Sequence, residues 1–265
     1  MTPLFDAHCH YHDARLQSHR AEFLPRLEAM GVSGAVVNGT RESDWPAVSA
    51  LGAAYPWMIP SFGLHPWFVR ERTADWREGL ARELVSHPRA AVGEVGLDRW
   101  IAGHDLDDQR RVFASELTLA MELGRTVTIH CLKAWAALQE ILRAGPLPAR
   151  GFLIHAYGGP LELVDEFVKR GAYFSFSPYF LHERKTEQRR VFAQIPRERL
   201  LVETDAPDLW PPPERNLHPL KDASGEPLNH PANLAVAYAG LAEIRGMRIE
   251  ELAPCIAENF QRLFA

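Results

Sequence analysis

Cysteine is scarce in this chain, and the placement of the few thiols excludes more than their number does. Cys9, Cys131 and Cys255 are the only three among 265 residues. They are too scattered for a disulfide framework and lack the Cys-x-x-Cys spacing of a structural zinc site, so they are expected to be reduced thiols. An excess of basic residues is also missing. The formal net charge of −5 argues against a broad cationic surface for nucleic acid, although it leaves room for a local grip on one phosphate. No stretch approaches the unbroken apolar run needed to cross a bilayer, and the first residues show no basic start followed by an apolar core. The expectation is a cytoplasmic protein with no membrane association and no obligate protein partner. A Gly-rich turn after the first strand is absent too, which counts against an open dinucleotide-binding sheet.

What the chain does have is a rhythm. Short apolar runs rich in β-branched residues alternate with longer segments of helical period, the pattern of repeated βα units around a parallel sheet. Eight strands are expected near residues 3–8, 33–38, 57–63, 90–96, 126–130, 151–155, 172–177 and 200–204. Helices are expected near 19–30, 43–54, 74–86, 108–123, 134–144, 161–170, 183–194, 232–245 and 249–263. Gly31, Gly124, Gly145, Gly171 and Gly246 stand where helices should end, as glycine tolerates the left-handed conformation that closes a helix. Eight strand-helix repeats in a length close to the ~250 residues typical of the fold predict a (β/α)8 TIM barrel, an α/β fold spanning 1–265 as one domain. The main irregularity is the Pro-rich stretch 207–231 after the last strand, and long loops on that face are usually functional.

Side chains alternate across a strand, so His8 and His10 at the end of Leu4-Phe5-Asp6-Ala7-His8-Cys9-His10 share one face while Cys9 turns away. By itself a His-x-His pair is more often a surface feature than a metal pincer. Barrel catalytic groups, however, project from the C-terminal ends of strands, and further candidates fall at those ends. They are His65 in Gly63-Leu64-His65-Pro66, Glu94 in Gly93-Glu94-Val95-Gly96-Leu97-Asp98, His130 after Ile129, His155 after Ile154, and Asp205 in Glu203-Thr204-Asp205-Ala206-Pro207. A buried Glu94 without positive partners would be costly. Mixed imidazole and carboxylate donors suit zinc, manganese, iron or nickel. Asp205 is the candidate general base, placed to take a proton from a water whose pKa the metals lower. The remaining histidines, His12, His19, His87, His104, His182, His218 and His230, fall in loops or helix flanks, where solvated or capping roles are expected.

These motifs, with the closing Glu258-Asn259-Phe260-Gln261-Arg262-Leu263-Phe264, resemble the TatD family of metal-dependent hydrolases in the amidohydrolase superfamily, in the right order and over nearly the whole chain. The resemblance implies a TIM barrel, one or two divalent ions such as magnesium, zinc or manganese, and hydrolysis, with magnesium-dependent deoxyribonuclease activity the best-known chemistry. It also implies that His8, His10, Glu94 and Asp205 hold one metal, and that Glu94 bridges to a second completed by His130 and His155. His65 would approach a substrate phosphate, with Lys133 and Tyr157 as further substrate contacts.

Three positions depart from the family pattern. His155-Ala156-Tyr157-Gly158-Gly159 stands where many members have His-Cys-Phe-Ser-Gly. Leu132, then Lys133, replaces an arginine two residues after the strand-five histidine, removing a bidentate phosphate donor there. Leu228-Asn229-His230-Pro231 replaces Arg-Asn-x-Pro. Three readings follow: a phosphodiesterase acting on DNA ends or short nucleotides, a metal-dependent hydrolase of another ester or amide, and a metal-stabilised binding protein. Trp67, Trp100, Tyr157 and Trp210 are available either to stack on bases or to anchor the rim.

Overall fold

The computed structural model describes residues 3–265. Eight parallel strands lie in sequence order around one sheet: β1 (Leu4–Cys9), β2 (Val32–Asn38), β3 (Met58–Phe62), β4 (Ala91–Asp98), β5 (Val127–Leu132), β6 (Phe152–Ile154), β7 (Ala172–Phe176) and β8 (Leu200–Val202). The outer layer is α1 (Arg20–Ala29), α2 (Trp45–Ala54), α3 (Trp76–Ser86), α4 (Leu106–Glu122), α5 (Trp135–Ala144), α6 (Val164–Lys169), α7 (Thr186–Phe192), α8 (Leu234–Arg245) and α9 (Ile249–Phe264). All eight strands and all nine expected helices are present. Strand sequences such as Met58-Ile59-Pro60-Ser61-Phe62 are buried throughout. Strands covered by helices outside and side chains inside read as continuous apolar runs for this reason.

The cylinder closes between β8 and β1 through a carboxylate rather than a regular ladder. Both Asp6 oxygens serve this seam: Oδ1 accepts the Thr204 backbone N–H at 2.9 Å and Oδ2 the Thr204 hydroxyl at 2.6 Å, with Tyr11 donating to Oδ2 at 2.7 Å. Burial pushes the Asp6 carboxyl up to about 6, against the lowering effect of these donors. Just above, Asp205 N–H donates to His8 C=O at 3.0 Å and His10 N–H to Ala206 C=O at 2.8 Å. The loops carrying three candidate ligands are therefore stitched together by the closure itself. Outside, the Tyr238 hydroxyl of α8 bonds both the N–H and the C=O of Phe5, completing the backbone pairing of β1 where β8 does not reach.

Beneath the rim the barrel holds a polar layer. Thr128 donates to Asn38 Oδ1 at 2.7 Å, and Gly93 lies against both: a Cβ there would come within 1.9 Å of Thr128 Oγ1 and 2.8 Å of Ser61 Oγ. A side chain at 96 would meet His130 C=O at 2.0 Å. The two glycines flanking Glu94 are thus required by close approach of neighbouring strands.

Four of the five expected helix-ending glycines, Gly31, Gly124, Gly171 and Gly246, have positive φ. Gly145 does not: it is extended at φ −137°, because the chain leaves α5 towards Pro146 without a left-handed turn. The Pro-rich stretch holds an antiparallel hairpin, β9 (Pro219–Lys221) with β10 (Pro227–Asn229), that periodicity did not reveal. Its strands are three residues long, and its turn is tied by Asp222 accepting from Ser224 and Glu226 N–H groups.

On α4, Glu116 is fully buried. Its Oε1 accepts the Leu64 N–H at 2.8 Å at the exit of β3, while Oε2 has no partner. Burial pushes this carboxyl well above the usual range, opposed by the Leu64 bond and by Arg72. A raised folded-state pKa means that stability falls as pH climbs from the unfolded carboxylate value towards the folded one. Glu116→Gln should therefore gain in thermal stability relative to the parent between pH 4 and 7, at up to about 1.4 kcal/mol per pH unit within that window. A melting-temperature difference that stays constant across the range would contradict this assignment.

Candidate metal centre

The strand ends gather a dense nest of donor atoms around the Glu94 carboxylate. Glu94 is carried by β4, whose flanking glycines let neighbouring strands crowd in, and its two oxygens face different groups. Oε2 lies 3.3 Å from His8 Nε2 and 3.3 Å from His10 Nε2, both delivered by the end of β1. Asp205, after β8, places Oδ1 3.5 Å from His8 Nε2 and 3.2 Å from His10 Nε2. On the other side, Oε1 lies 3.0 Å from His130 Nδ1 and 2.8 Å from His155 Nε2. The last two nitrogens are 3.2 Å apart. The six expected metal-ligating side chains come together as two groups that share Glu94.

These spacings fit divalent ions. Four ligands at the ~2.0–2.1 Å typical of zinc with imidazole and carboxylate have edges of roughly 3.4 Å in a tetrahedron, close to the 3.2–3.5 Å from each of His8 and His10 to Glu94 Oε2 and Asp205 Oδ1. Asp205 Oδ1 is buried with no hydrogen-bond partner, a costly arrangement unless a cation meets it. Among the described residues, donor sets His8–His10–Glu94 and His8–His155–Asp205 lie compactly enough to hold an ion.

Hydrogen bonds behind the imidazoles decide which nitrogen faces inward. His10 Nδ1 lies 2.7 Å from the Asn38 carbonyl, so Nδ1 carries the proton and Nε2 presents a lone pair to the centre. His130 Nε2 donates to Asp98 Oδ2 at 2.8 Å, turning Nδ1 inward. His155 Nδ1 faces Glu203 Oε1 at 3.6 Å, with Nε2 inward, and Glu203 in turn accepts from the Ser175 hydroxyl. His65 is set the opposite way. Its Nδ1 accepts the Trp67 N–H at 3.1 Å, so the neutral ring carries its proton on Nε2, 3.4 Å from Glu94 Oε1. Although His65, Glu94 and His130 also form a compact set, His65 is arranged as a hydrogen-bond donor at the mouth.

Electrostatics follow from this packing. Burial alone would push Glu94 up, but the surrounding imidazoles of His155, His65, His8 and His10 together hold it well below the usual range. Burial, with His155 stacked at 3.8 Å, drives His8 down to about 4, so it presents a neutral ring suited to coordination. Asp98 resists its burial through His130, the Trp100 N–H and the Trp67 indole, and is held at about 2. Burial pushes Glu203 up to about 7 despite the neighbouring His155.

The sequence motifs assign no separate role to Asp98 or Glu203, and His12 is expected to be solvated or capping. Asp98 and Glu203 lie inside the quoted motifs, and the signal that could have found them is the need of each inward histidine for an orienting partner. His12 is buried, 3.7 Å from Asp44 and edge-on to His10, contrary to its expected solvated role. The chain turns back through Tyr11 and packs it beneath the β2 loop. His230 does cap, accepting the Ala232 N–H and facing Glu22.

Tyr157 is a correction. Its ring is fully buried between Trp135 and Phe174, and its hydroxyl donates to Pro160 C=O at 2.7 Å. The residue anchors the loop after β6 and has no surface to offer a substrate. Lys133 is exposed beyond β5 with φ 56°, and Leu132 is exposed beside it. Trp210 is half-buried, its carbonyl 3.2 Å from His182 Nε2, so it anchors a loop.

Comparison with known proteins agrees with this arrangement. A family model described as TatD related DNase matches residues 5–265. The metal-dependent hydrolase YabD of Bacillus subtilis is 30% identical over 264 residues, covering 98% of each chain. The 3'-5' ssDNA/RNA exonuclease TatD of Citrobacter koseri is 31% identical over 266 residues, again covering 98% of each. The crystal structure of the TatD homologue YjjV from Escherichia coli K12 superposes with a TM-score of 0.89 at 28% identity, covering 98% of this chain and 97% of that one. A match that runs from the first barrel strand through the closing helix, shared with relatives of the same length, leads to one conclusion: the chain belongs to the TatD-related DNase family of metal-dependent hydrolases.

Proposed function

We propose that this protein is a phosphodiesterase that hydrolyses the ends of single-stranded DNA, or short nucleotides, using two divalent cations. The observation that carries the reading is the division of the Glu94 carboxylate, with Oε2 facing His8 and His10 and Oε1 facing His130 and His155. A shared carboxylate between two imidazole groups is how a protein holds two cations a few ångströms apart. Relatives named 3'-5' ssDNA/RNA exonucleases support the substrate class. His8, His10 and Asp205 would hold one ion and His130 and His155 the other, with Glu94 common to both. Magnesium, zinc and manganese all suit this mixed donor set. When bound, such ions supply Lewis acidity that polarises a phosphoryl oxygen and lowers the pKa of water.

The chain's own residues would do the rest. Asp205, held below the usual carboxylate range despite burial by the neighbouring imidazoles of His10, His155 and His8, would be ionised and accept the proton of the attacking water. His65, whose Nε2–H stands 3.4 Å from Glu94 Oε1, would donate to a phosphoryl oxygen and stabilise the charge that builds there. Asp98 would hold His130 in the tautomer that ligation needs, while Glu203 stands behind His155 at 3.6 Å. Lys133 supplies a point charge at the rim, where Leu132 supplies none. The proposed setting is the cytoplasm, a reading supported by three unpaired thiols.

The decisive assay offers metal-loaded protein a single-stranded oligodeoxynucleotide, a dinucleotide, and a panel of carboxylic esters and amides. Turnover of the DNA substrates is expected, abolished by a chelator and restored by added metal. Hydrolysis confined to a non-phosphate ester would overturn the nuclease reading, and metal binding with no turnover at all would overturn the enzyme reading. Asp205→Asn should lower kcat by about 10²-fold or more at saturating metal with the near-ultraviolet dichroism preserved. Unchanged turnover would remove Asp205 from the role of base. Asp98→Asn should weaken one of two steps in a calorimetric metal titration by roughly 10- to 100-fold and spare the other, because only His130 loses its orienting carboxylate. Equal weakening of both steps would make Asp98 merely structural.

A further inference from the structure

Of the six exposed large apolar side chains among the described residues, Val85, Leu217 and Ile249 are scattered singly. Three are not. Trp67, Trp100 and Leu132 lie beyond β3 and β4 and at the end of β5, on one side of the metal centre, with 41%, 60% and 37% of their surfaces exposed. Single exposed apolar residues are ordinary, whereas a cluster at the mouth of a site marks something that binds there.

The two indoles are held in place by the same group that orients His130. Trp67 Nε1–H donates to Asp98 Oδ2 at 2.9 Å, the oxygen that also accepts from His130 Nε2. The Trp100 backbone N–H donates to Asp98 Oδ1 at 2.6 Å. Trp67 also stands edge-on to His65, ring centres 5.2 Å apart. The indole planes are inclined by 30° with centres 6.4 Å apart, so they form a shallow ledge whose distance from Glu94 is fixed by one carboxylate. Beside it, the Arg99 N–H bonds Leu132 C=O at 3.0 Å, bringing Arg99 and Lys133 to the same edge. Neither forms an ion pair among the described residues, although most other arginines of the chain are engaged. Exposed flat π-faces flanked by unpaired cations, on a protein that is acidic overall, match the two chemical halves of a nucleotide strand, base and phosphate.

We propose that Trp67 and Trp100 form a stacking ledge for an unpaired nucleobase next to the scissile bond, with Arg99 and Lys133 facing the adjoining phosphates. This rests on the phosphodiesterase reading above. The ledge would supply by stacking the substrate grip that Leu132 does not supply by hydrogen bonding, and it would favour single strands, whose bases are free to unstack.

The test compares kcat/KM for a short single-stranded oligonucleotide with that for the same strand carrying abasic residues at its reactive end. The native protein should prefer the base-bearing strand by roughly tenfold, Trp100→Ala should collapse that ratio through KM, and Trp100→Phe should restore most of it. Trp100 is the residue to change because its side chain, unlike that of Trp67, makes no hydrogen bond to Asp98. Equal cleavage of both strands by the native protein, or a ratio that Trp100→Ala leaves intact, overturns the ledge while leaving the phosphodiesterase reading standing. Failure of the native protein on both strands removes that reading and the ledge with it. A dimer that Trp100→Ala dissolves, with the ratio unmoved, assigns the patch to self-association instead.

Discussion

A carboxylate buried at the mouth of a barrel has to be neutralised, and much of this structure follows from how Glu94 achieves it. Removed from water, the anion needs opposite charge or donors on both oxygens. It meets four imidazoles from β1, β5 and the loop beyond β6, and a fifth from the β3 loop. Several of those rings need partners of their own, which is why Asn38 and Asp98 stand behind His10 and His130. The outcome is layered: a carboxylate at the centre, imidazoles around it, and orienting acceptors outside.

The same demand explains the glycines and the seam. Gly93 and Gly96 give up side chains so that β4 can sit tightly against its neighbours with Glu94 pointing inward. On the far side, Asp6 binds the chain of β8 through Thr204 and so fixes where Asp205 and His8 meet. Here fold stability and ligand placement draw on the same contacts, so damage to the seam at Asp6 reaches the metal centre.

Family membership and this geometry agree on the core and diverge at the edge. The donors around Glu94 are those the resemblance implies, whereas the rim carries Leu132 where the resemblance implies arginine, and Tyr157 turns inward. A phosphate grip built from one lysine and one histidine is weaker than a bidentate guanidinium, and the exposed tryptophans beyond β3 and β4 offer a different kind of contact. Loops anchored to a rigid centre surround these donors, the usual division of labour in this fold.

Local chemistry is enough for much of what the sequence determined. The alternation of β-branched runs and helical periods marked all eight strands, because each is buried on two faces and each helix on one. The strand-end positions of His8, His10, Glu94, His130, His155 and Asp205 were legible for the same reason, since period two in a strand fixes which face a side chain takes. Only the tertiary structure decided what depends on distant partners. The tautomer of His130 rests on Asp98, thirty-two residues away, a contact that no spacing encodes. Tyr157 shares its motif with His155, yet it turned into the core because Trp135 and Phe174 close over it. The hairpin in the Pro-rich loop escaped notice because strands of three residues carry no period. The opening His-x-His is a pincer only because Glu94, eighty-odd residues later, folds back between its rings.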